Sequence, residues 1–281
     1  MSEKAQELTA QINTAIEQLS KETDAAKQSE LYRAWMSAMS RFYKYSYGNQ
    51  ILIWAQRPDA TRVAGFHAWK DLGRIVKKGE KGIRILAPIV RKYDEEKDGQ
   101  TKETPHVVAF RCATVFDISQ TEGKELPNLE CNATQGGETL LPALEKTAES
   151  FGISLVYKPL PGSIEGLSKG GTIEIEETLD IHARCGVIAH ELAHELLKHK
   201  EHRTETTKQQ RELEAESVAF AVLAHFGIRL ESRFYLATYD VTGEMLTASL
   251  ATISATARQL IEAIDEPART TDEEVAPQAA A

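Results

Sequence analysis

The chain has 281 residues, room for two modest domains with cores of their own, and 42% hydrophobic against 27% charged residues is an ordinary water-soluble profile. No apolar run approaches the roughly 18 residues of a membrane span, and the polar start MSEKAQELTAQ has no signal-peptide pattern, so no membrane partner is expected and the compartment reads as cytoplasmic. The net charge of −9 by itself predicts no nucleic-acid partner, and three scattered cysteines (Cys112, Cys131, Cys185) without a C-x-x-C pair argue against a disulfide framework or a cysteine zinc site.

In chain order, residues 5–20 read as an Ala, Gln and Glu-rich amphipathic helix, 28–56 as a second helix ending before Pro58, and 66–73 as a short third. Across these elements the mean charge conceals a segregation. Residues 31–92 hold thirteen Lys or Arg against three acids, a net +10 that leaves −19 for the remainder. The same stretch carries most of the aromatics. Cations that follow phosphates, interleaved with rings that stack on splayed bases, suit single-stranded nucleic acid bound without sequence readout. Arg41, Lys44, Tyr45, Tyr47, Lys70 and Arg74 are the candidates there, while Trp35, Phe42 and Trp54 are expected to be mostly packing. In LGRIVKKGEKGIRIL, Lys77, Lys78 and Lys81 surround Gly79 and Gly82 in a turn, so ammonium groups and backbone amides can face one phosphate; a solvated hairpin turn is the bland alternative.

The run RFYKYSYGNQILIWAQRPDATRVAGFHAWKDLGRIVKKGEKGIRILAPI, followed by VFDISQTEG, is similar to the N-terminal single-stranded-DNA-binding domain of ArdC-type antirestriction proteins and related plasmid primase proteins, from about Arg41 to Leu126. The resemblance implies single-stranded DNA as partner and adds Asn49 and Gln50 to the DNA-binding candidates. This chain lacks the proline and tryptophan motif that many members carry at the N-terminus.

Further along, GIRILAPIV and HVVAFRCATVFDI are strand-like, joined through the polar YDEEKDGQTKETP as a loose hairpin loop. Pro127, Asn132, Gly136 and Gly137 mark an interdomain linker. The expected organisation is a DNA-binding domain over 1–126 with its N-terminal helix, a linker over 127–139, a second domain over 140–265, and an acidic, Ala-rich disordered tail over 266–281. The second domain should hold a helix near 140–151, strands at ISLVYK and TIEIE, two longer helices, and a last helix over 243–264. TIEIE is a candidate sheet edge along which an extended peptide is laid.

The first of the two longer helices carries H-E-x-x-H. In VIAHELAHELLKH, His190 and His194 lie four apart on one helix face, so both imidazoles can reach one metal ion, and Glu191 projects beside them as a general base for a metal-activated water. The apolar surroundings (Val187, Ile188, Leu192, Leu196) bury these polar rings, which then need a partner. A third ligand must come from elsewhere. The pattern H-E-x-x-H-x-x-G-x-x-H fails, with Leu197 and Lys200 in place of the Gly and His, and His199 and His202 out of register. RELEAESVAFAVLAHFGI offers Glu212, Ala215 and Glu216: a carboxylate for the metal, a small residue for close helix approach, and a carboxylate one turn on to orient a ligand histidine. Glu214 is expected to be solvated on another side, although a register error would exchange it with Glu212.

HELAH followed by ELEAESVAF resembles the minimal gluzincin domain of ImmA/IrrE-type metallopeptidases, in the version found in ArdC-type proteins, over roughly 138–240; Glu216 stands where many such peptidases have Asn or Asp. The resemblance implies metal ligands His190, His194 and Glu212, with Glu191 as general base. The expected fold is α+β in two domains, a small mixed helix/sheet DNA-binding domain and a gluzincin-like metallopeptidase domain. The expected function is single-stranded DNA binding joined to zinc-dependent cleavage of an unidentified protein, in antirestriction or mobile-element transfer. One Zn2+ is expected, another divalent metal being possible. The alternatives are a regulatory peptidase that cuts a DNA-bound repressor, and a catalytically idle module that coats single strands. Tyr235, Tyr239 and His225 are the candidates for stabilising the oxyanion.

Overall fold

In the computed structural model, residues 3–21, 25–97, 100–126, 136–228 and 243–265 are described. Residues 127–135 of the linker expected over 127–139, the tail over 266–281, Tyr235 and Tyr239 lie outside them, and 136–139 open a helix. The fold is α+β, and its contacts divide the chain into two units: Met1–Ile16 with Gly48–Leu126, and Glu17–Tyr47 with Pro127–Glu274. One break of this division falls after Leu126. Residues 17–47, assigned above to the first domain, instead pack with the second unit. No helix among the described residues is long and apolar enough to cross a membrane.

The first unit contains the start of helix α1 (Glu3–Lys21), helix α3 (Tyr47–Gln56) from Gly48 onward, and the short helix α4 (Phe66–Asp71). Its main sheet has the order β1-β4-β3, all antiparallel, from β1 (Val63–Gly65), β3 (Ile83–Lys97) and β4 (Gln100–Asp117). A second ribbon pairs β2 (Arg74–Val76) with β5 (Thr121–Gly123). Strand β3 is a sheet edge, and α3 covers it. The Asn49 amide donates to Leu86 O (2.8 Å) and accepts from Leu86 N (2.9 Å). Gln56, two helical turns on, repeats this with Arg84 O (2.8 Å) and Arg84 N (2.9 Å). Side-chain amides thus take the place of a missing neighbouring strand.

Two sequence expectations change here. The polar stretch after Tyr93 is not a loose loop: pairing continues from Tyr93↔Thr104 to Lys97↔Gln100, because the ladder is made by backbone groups, which polar residue types carry as well as apolar ones. The single helix expected over 28–56 breaks after Arg41 into α2 (Ala25–Arg41) and α3. No Pro or Gly causes the break. Phe42 and Tyr43 are buried, and Tyr43 packs edge-on against His225 with ring centroids 4.8 Å apart, so tertiary packing overrides helix propensity.

The second unit surrounds a three-stranded sheet of order β6-β8-β7, from β6 (Ser154–Lys158), β7 (Gly166–Ser168) and β8 (Thr172–Glu176). TIEIE is therefore the central strand, and Gly166–Ser168 is the edge beside helix α6 (Ile181–Leu196). Helices α5 (Gly136–Ser150), α7 (Lys208–His225) and α8 (Gly243–Asp265) complete the unit, and α2 packs on α7, where Tyr32 Oη lies 2.9 Å from Ser217 Oγ.

Candidate metal centre

Helix α6 starts cleanly because the Asp180 carboxylate accepts from Ala183 N (2.9 Å), and α7 starts at Thr207, whose hydroxyl accepts from Gln210 N (3.1 Å). Ala189, Ala193 and Ala215 are fully buried, so the two backbones approach closely. The helices run antiparallel: His190 meets Glu216 and His194 meets Glu212.

His190 Nε2 and His194 Nε2 lie 3.0 Å apart, and Glu212 Oε2 lies 3.6 Å from the first and 3.8 Å from the second. His190 Nδ1 donates to Glu216 Oε2 (3.0 Å) and His194 Nδ1 lies 2.7 Å from His199 Nδ1. With both Nδ1 atoms engaged as donors, both Nε2 atoms present bare lone pairs to each other beside a carboxylate. Such an arrangement is repulsive unless a proton or a metal ion sits among the three. Among the described residues, His190, His194 and Glu212 form the one group of this kind that can hold a metal ion, and two imidazoles with a carboxylate fit a divalent ion such as zinc. Titration reflects the same field. Burial disfavours the His190 cation, but Glu212 and Glu216 outweigh it and lift its pKa to about 10, while the two histidines hold Glu212 far below the usual carboxylate range.

Glu191 lines the same cleft as His190, His194 and Glu212. It is buried, Ser168 N donates to its Oε2 (2.8 Å), and burial raises its pKa against the opposing pull of His190 and His194. Strand β7 crosses α6 so closely that a Cβ on Gly166 would stand 2.4 Å from Val187 Cγ1 and 3.0 Å from Glu191 Oε1. Glycine is what permits the edge strand to reach the site.

The open side is a cleft of about 820 Å³. At the His194 and Glu212 end it is lined by Lys200, Arg203, Lys208 and Arg211, none of them ion-paired to a described carboxylate. Phe220 and Leu223 line the opposite end.

Two neighbours of the centre escaped the sequence. Glu214 is not solvated: it is 6% exposed, and its carboxylate accepts from His199 Nε2 (3.0 Å), Ser249 Oγ (2.6 Å) and Gln210 Nε2 (3.1 Å). His199, out of register for the metal, instead contacts a ligand-type histidine. His225 donates to Ser40 O (3.0 Å) at the far end of α7 and takes no part in the cleft.

In the first unit the DNA-binding candidates separate. Lys70, Lys77, Lys78 and Lys81 are exposed, the last three flanking Gly79, which takes a φ of 90° in the turn. Lys77 also donates to Ser119 O (2.9 Å), and the Arg74 guanidinium is held by Thr121 Oγ1 (2.7 Å) and Lys124 O (2.6 Å). Asn49 and Gln50 are buried, and the Asn49 amide is consumed by β3, so they belong to the framework. Arg41, Lys44 and Tyr45 fall in the second unit, and Tyr47 is 38% exposed at its boundary.

Comparison with known proteins places residues 17–47 with the N-terminal match, whereas the contacts place them in the second unit. Residues 2–116 match the model of the N-terminal domain of anti-restriction factor ArdC, and residues 148–224 match that of the IrrE N-terminal-like domain. The chain is of the ArdC type. An uncharacterized protein of Bacillus anthracis is 26% identical to this ArdC-type chain over 274 residues, which cover 81% of the chain and 46% of that protein. The chain thus spans about half the length of that relative. Crystal structures of the antirestriction ArdC protein from R388 plasmid, metal-free and Mn(II)-bound, align at 16% identity with TM-scores of 0.46 and 0.42. They cover 82% and 85% of this chain and 87% and 99% of their own.

Proposed function

We propose that the second unit is a zinc-dependent peptidase and that the first unit binds single-stranded DNA, as in an antirestriction or DNA-transfer role. The observation that carries the peptidase reading is the convergence of two bare Nε2 atoms and the Glu212 carboxylate on one point, with Glu191 beside it. His190, His194 and Glu212 hold the ion, and Glu216 fixes the tautomer of His190 through Nδ1. A bound divalent ion acidifies a water and polarises a scissile carbonyl. Glu191 takes the water's proton and passes it to the departing amine, a role helped by the burial that raises its pKa, while Ser168 N–H holds one carboxylate oxygen in place. Edge strand β7 offers its backbone to an extended peptide in the cleft. The unpaired cations at one end and the apolar side chains at the other suit a substrate segment that joins an acidic residue to an apolar one.

The ArdC-type match over 2–116 and the net +7 of residues 48–92 in the first unit, ten Lys or Arg against three acids, support the DNA reading, with Lys70, Lys77, Lys78 and Lys81 as the phosphate contacts. Substrate trapping with zinc-loaded Glu191→Gln tests the first part. The trapped protein should be cut by wild type and left whole by the variant; cutting by both would refute the role of Glu191. Electrophoretic shifts test the second part, since binding should favour single strands over duplex and weaken steeply with salt, and equal, salt-insensitive binding would refute it.

A further inference from the structure

His199 has no part in the chemistry above, yet it is 5% exposed and hydrogen-bonded at both ring nitrogens. The chain reaches this position through an unfavourable backbone. Lys198, just beyond the end of α6, has a φ of 51° and is the one non-glycine described residue with a positive φ. A side chain in that region costs about 1 kcal/mol or more, so the surrounding contacts must hold it there.

The direction of each hydrogen bond follows from the acceptor at the far end. A carboxylate only accepts, so the Glu214 contact requires the proton of His199 on Nε2. In a neutral His199, Nδ1 is then an acceptor, and the proton in the 2.7 Å contact belongs to His194 Nδ1. That leaves His194 Nε2 bare and aimed at His190 Nε2 and Glu212. Glu214 is itself oriented by the Ser249 hydroxyl of α8, a residue that is fully buried. The two histidines of the centre are therefore backed unequally: His190 by one carboxylate directly, His194 by a chain of three side chains that ends on another helix.

We propose that His199 is a positioning residue of the metal centre, and that the relay Ser249–Glu214–His199 sets the tautomer and ring plane of His194, coupling the docking of α8 to the affinity of the site for a divalent cation. The inference rests on the metal reading given above. Because the coupling is reciprocal, a bound cation also tightens α8 against α7.

Titration of Mn(II) into the metal-stripped full chain, with Co(II) absorption as a report of ligand geometry, tests it. His199→Ala should lower Mn(II) affinity by roughly ten- to a hundredfold and shift the Co(II) bands. His199→Gln should recover most of the loss, because its amide can accept from His194 and donate to Glu214. Ser249→Ala keeps every histidine, should show a smaller loss in the same direction, and stands in if His199→Ala fails to fold. Affinities of both alanine variants equal to wild type would overturn the relay. So would a loss that His199→Gln fails to recover, since His199 would then serve packing alone. If wild type and His190→Ala bind Mn(II) equally poorly, the metal reading itself fails, and the relay with it.

Discussion

Each unit buries a polar cluster, and the two clusters are built on opposite principles. In the first unit, the Asp117 carboxylate accepts from Thr61 N (2.8 Å), Arg62 N (3.0 Å), Ser119 N (3.0 Å) and Ser119 Oγ (2.7 Å), and Gln120 closes the reciprocal cap by accepting from Asp117 N (2.9 Å). Every lone pair meets a donor of the chain itself, which is how buried polar groups reinforce a fold. In the second unit, two imidazole nitrogens and a carboxylate face one another, joined only when a proton or a metal ion sits between them. Their surroundings are fully bonded, from Glu216 on one side to His199 and Glu214 on the other. A cluster satisfied from within holds structure together, whereas one satisfied everywhere except at a shared centre is arranged for a ligand.

That contrast breaks at stated points. The largest effect expected is on rate: Glu191→Gln should lower peptide cleavage by about 10² to 10⁴, the usual share of a general base, with metal content unchanged. Loss of metal together with rate would make Glu191 structural. Next, Asp117→Ala should cost about 3 kcal/mol of stability in the first unit, read by urea unfolding, because four donors lose their acceptor. His190→Ala, by contrast, should abolish divalent-ion binding, because it removes one of the three converging ligand atoms; ion binding equal to wild type would erase the distinction.

pH sharpens the same point. Burial alone would raise the pKa of Asp117, but the bonds from Ser119, Thr61 and Arg62 outweigh it and hold the carboxyl below its ordinary value. Its stabilisation is therefore complete above the unfolded-state pKa and is lost as pH falls through the lower folded-state value. Acid unfolding of the first unit should flatten in Asp117→Asn, and an unchanged pH profile would remove Asp117 as the cause. Of intermediate size, Gly166→Ala should cost about 1–3 kcal/mol, because the new Cβ meets Val187 Cγ1 and the strand must shift. Smallest, Lys78→Ala with Lys81→Ala should weaken single-strand binding and lower its salt slope by about 0.7 per lost phosphate contact. A slope equal to wild type would place the DNA elsewhere.

What the sequence made legible follows from how local each feature is. His190, Glu191 and His194 share one helix turn, so their spacing alone places them, and the apolar residues around them announce burial. Glu212 and Glu214 stand two apart on one helix, and only the antiparallel seating of α7 on α6 decides that the first faces the histidines and the second faces His199. His199 was out of reach because its position depends on Lys198 adopting a left-handed backbone, which no pattern of residue types announces. Asn49 entered the DNA-binding candidates through the family resemblance. Its amide is instead taken up by the uncovered edge of β3, a pairing that only the fold brings about.

The measurement that bears most directly on the centre is calorimetric titration of Zn(II) and Mn(II) into the metal-stripped full chain, alongside Glu212→Gln. Wild type should bind one ion per chain and Glu212→Gln should lose that binding while remaining folded. Binding by Glu212→Gln equal to wild type would contradict the assignment of His190, His194 and Glu212 as the metal site.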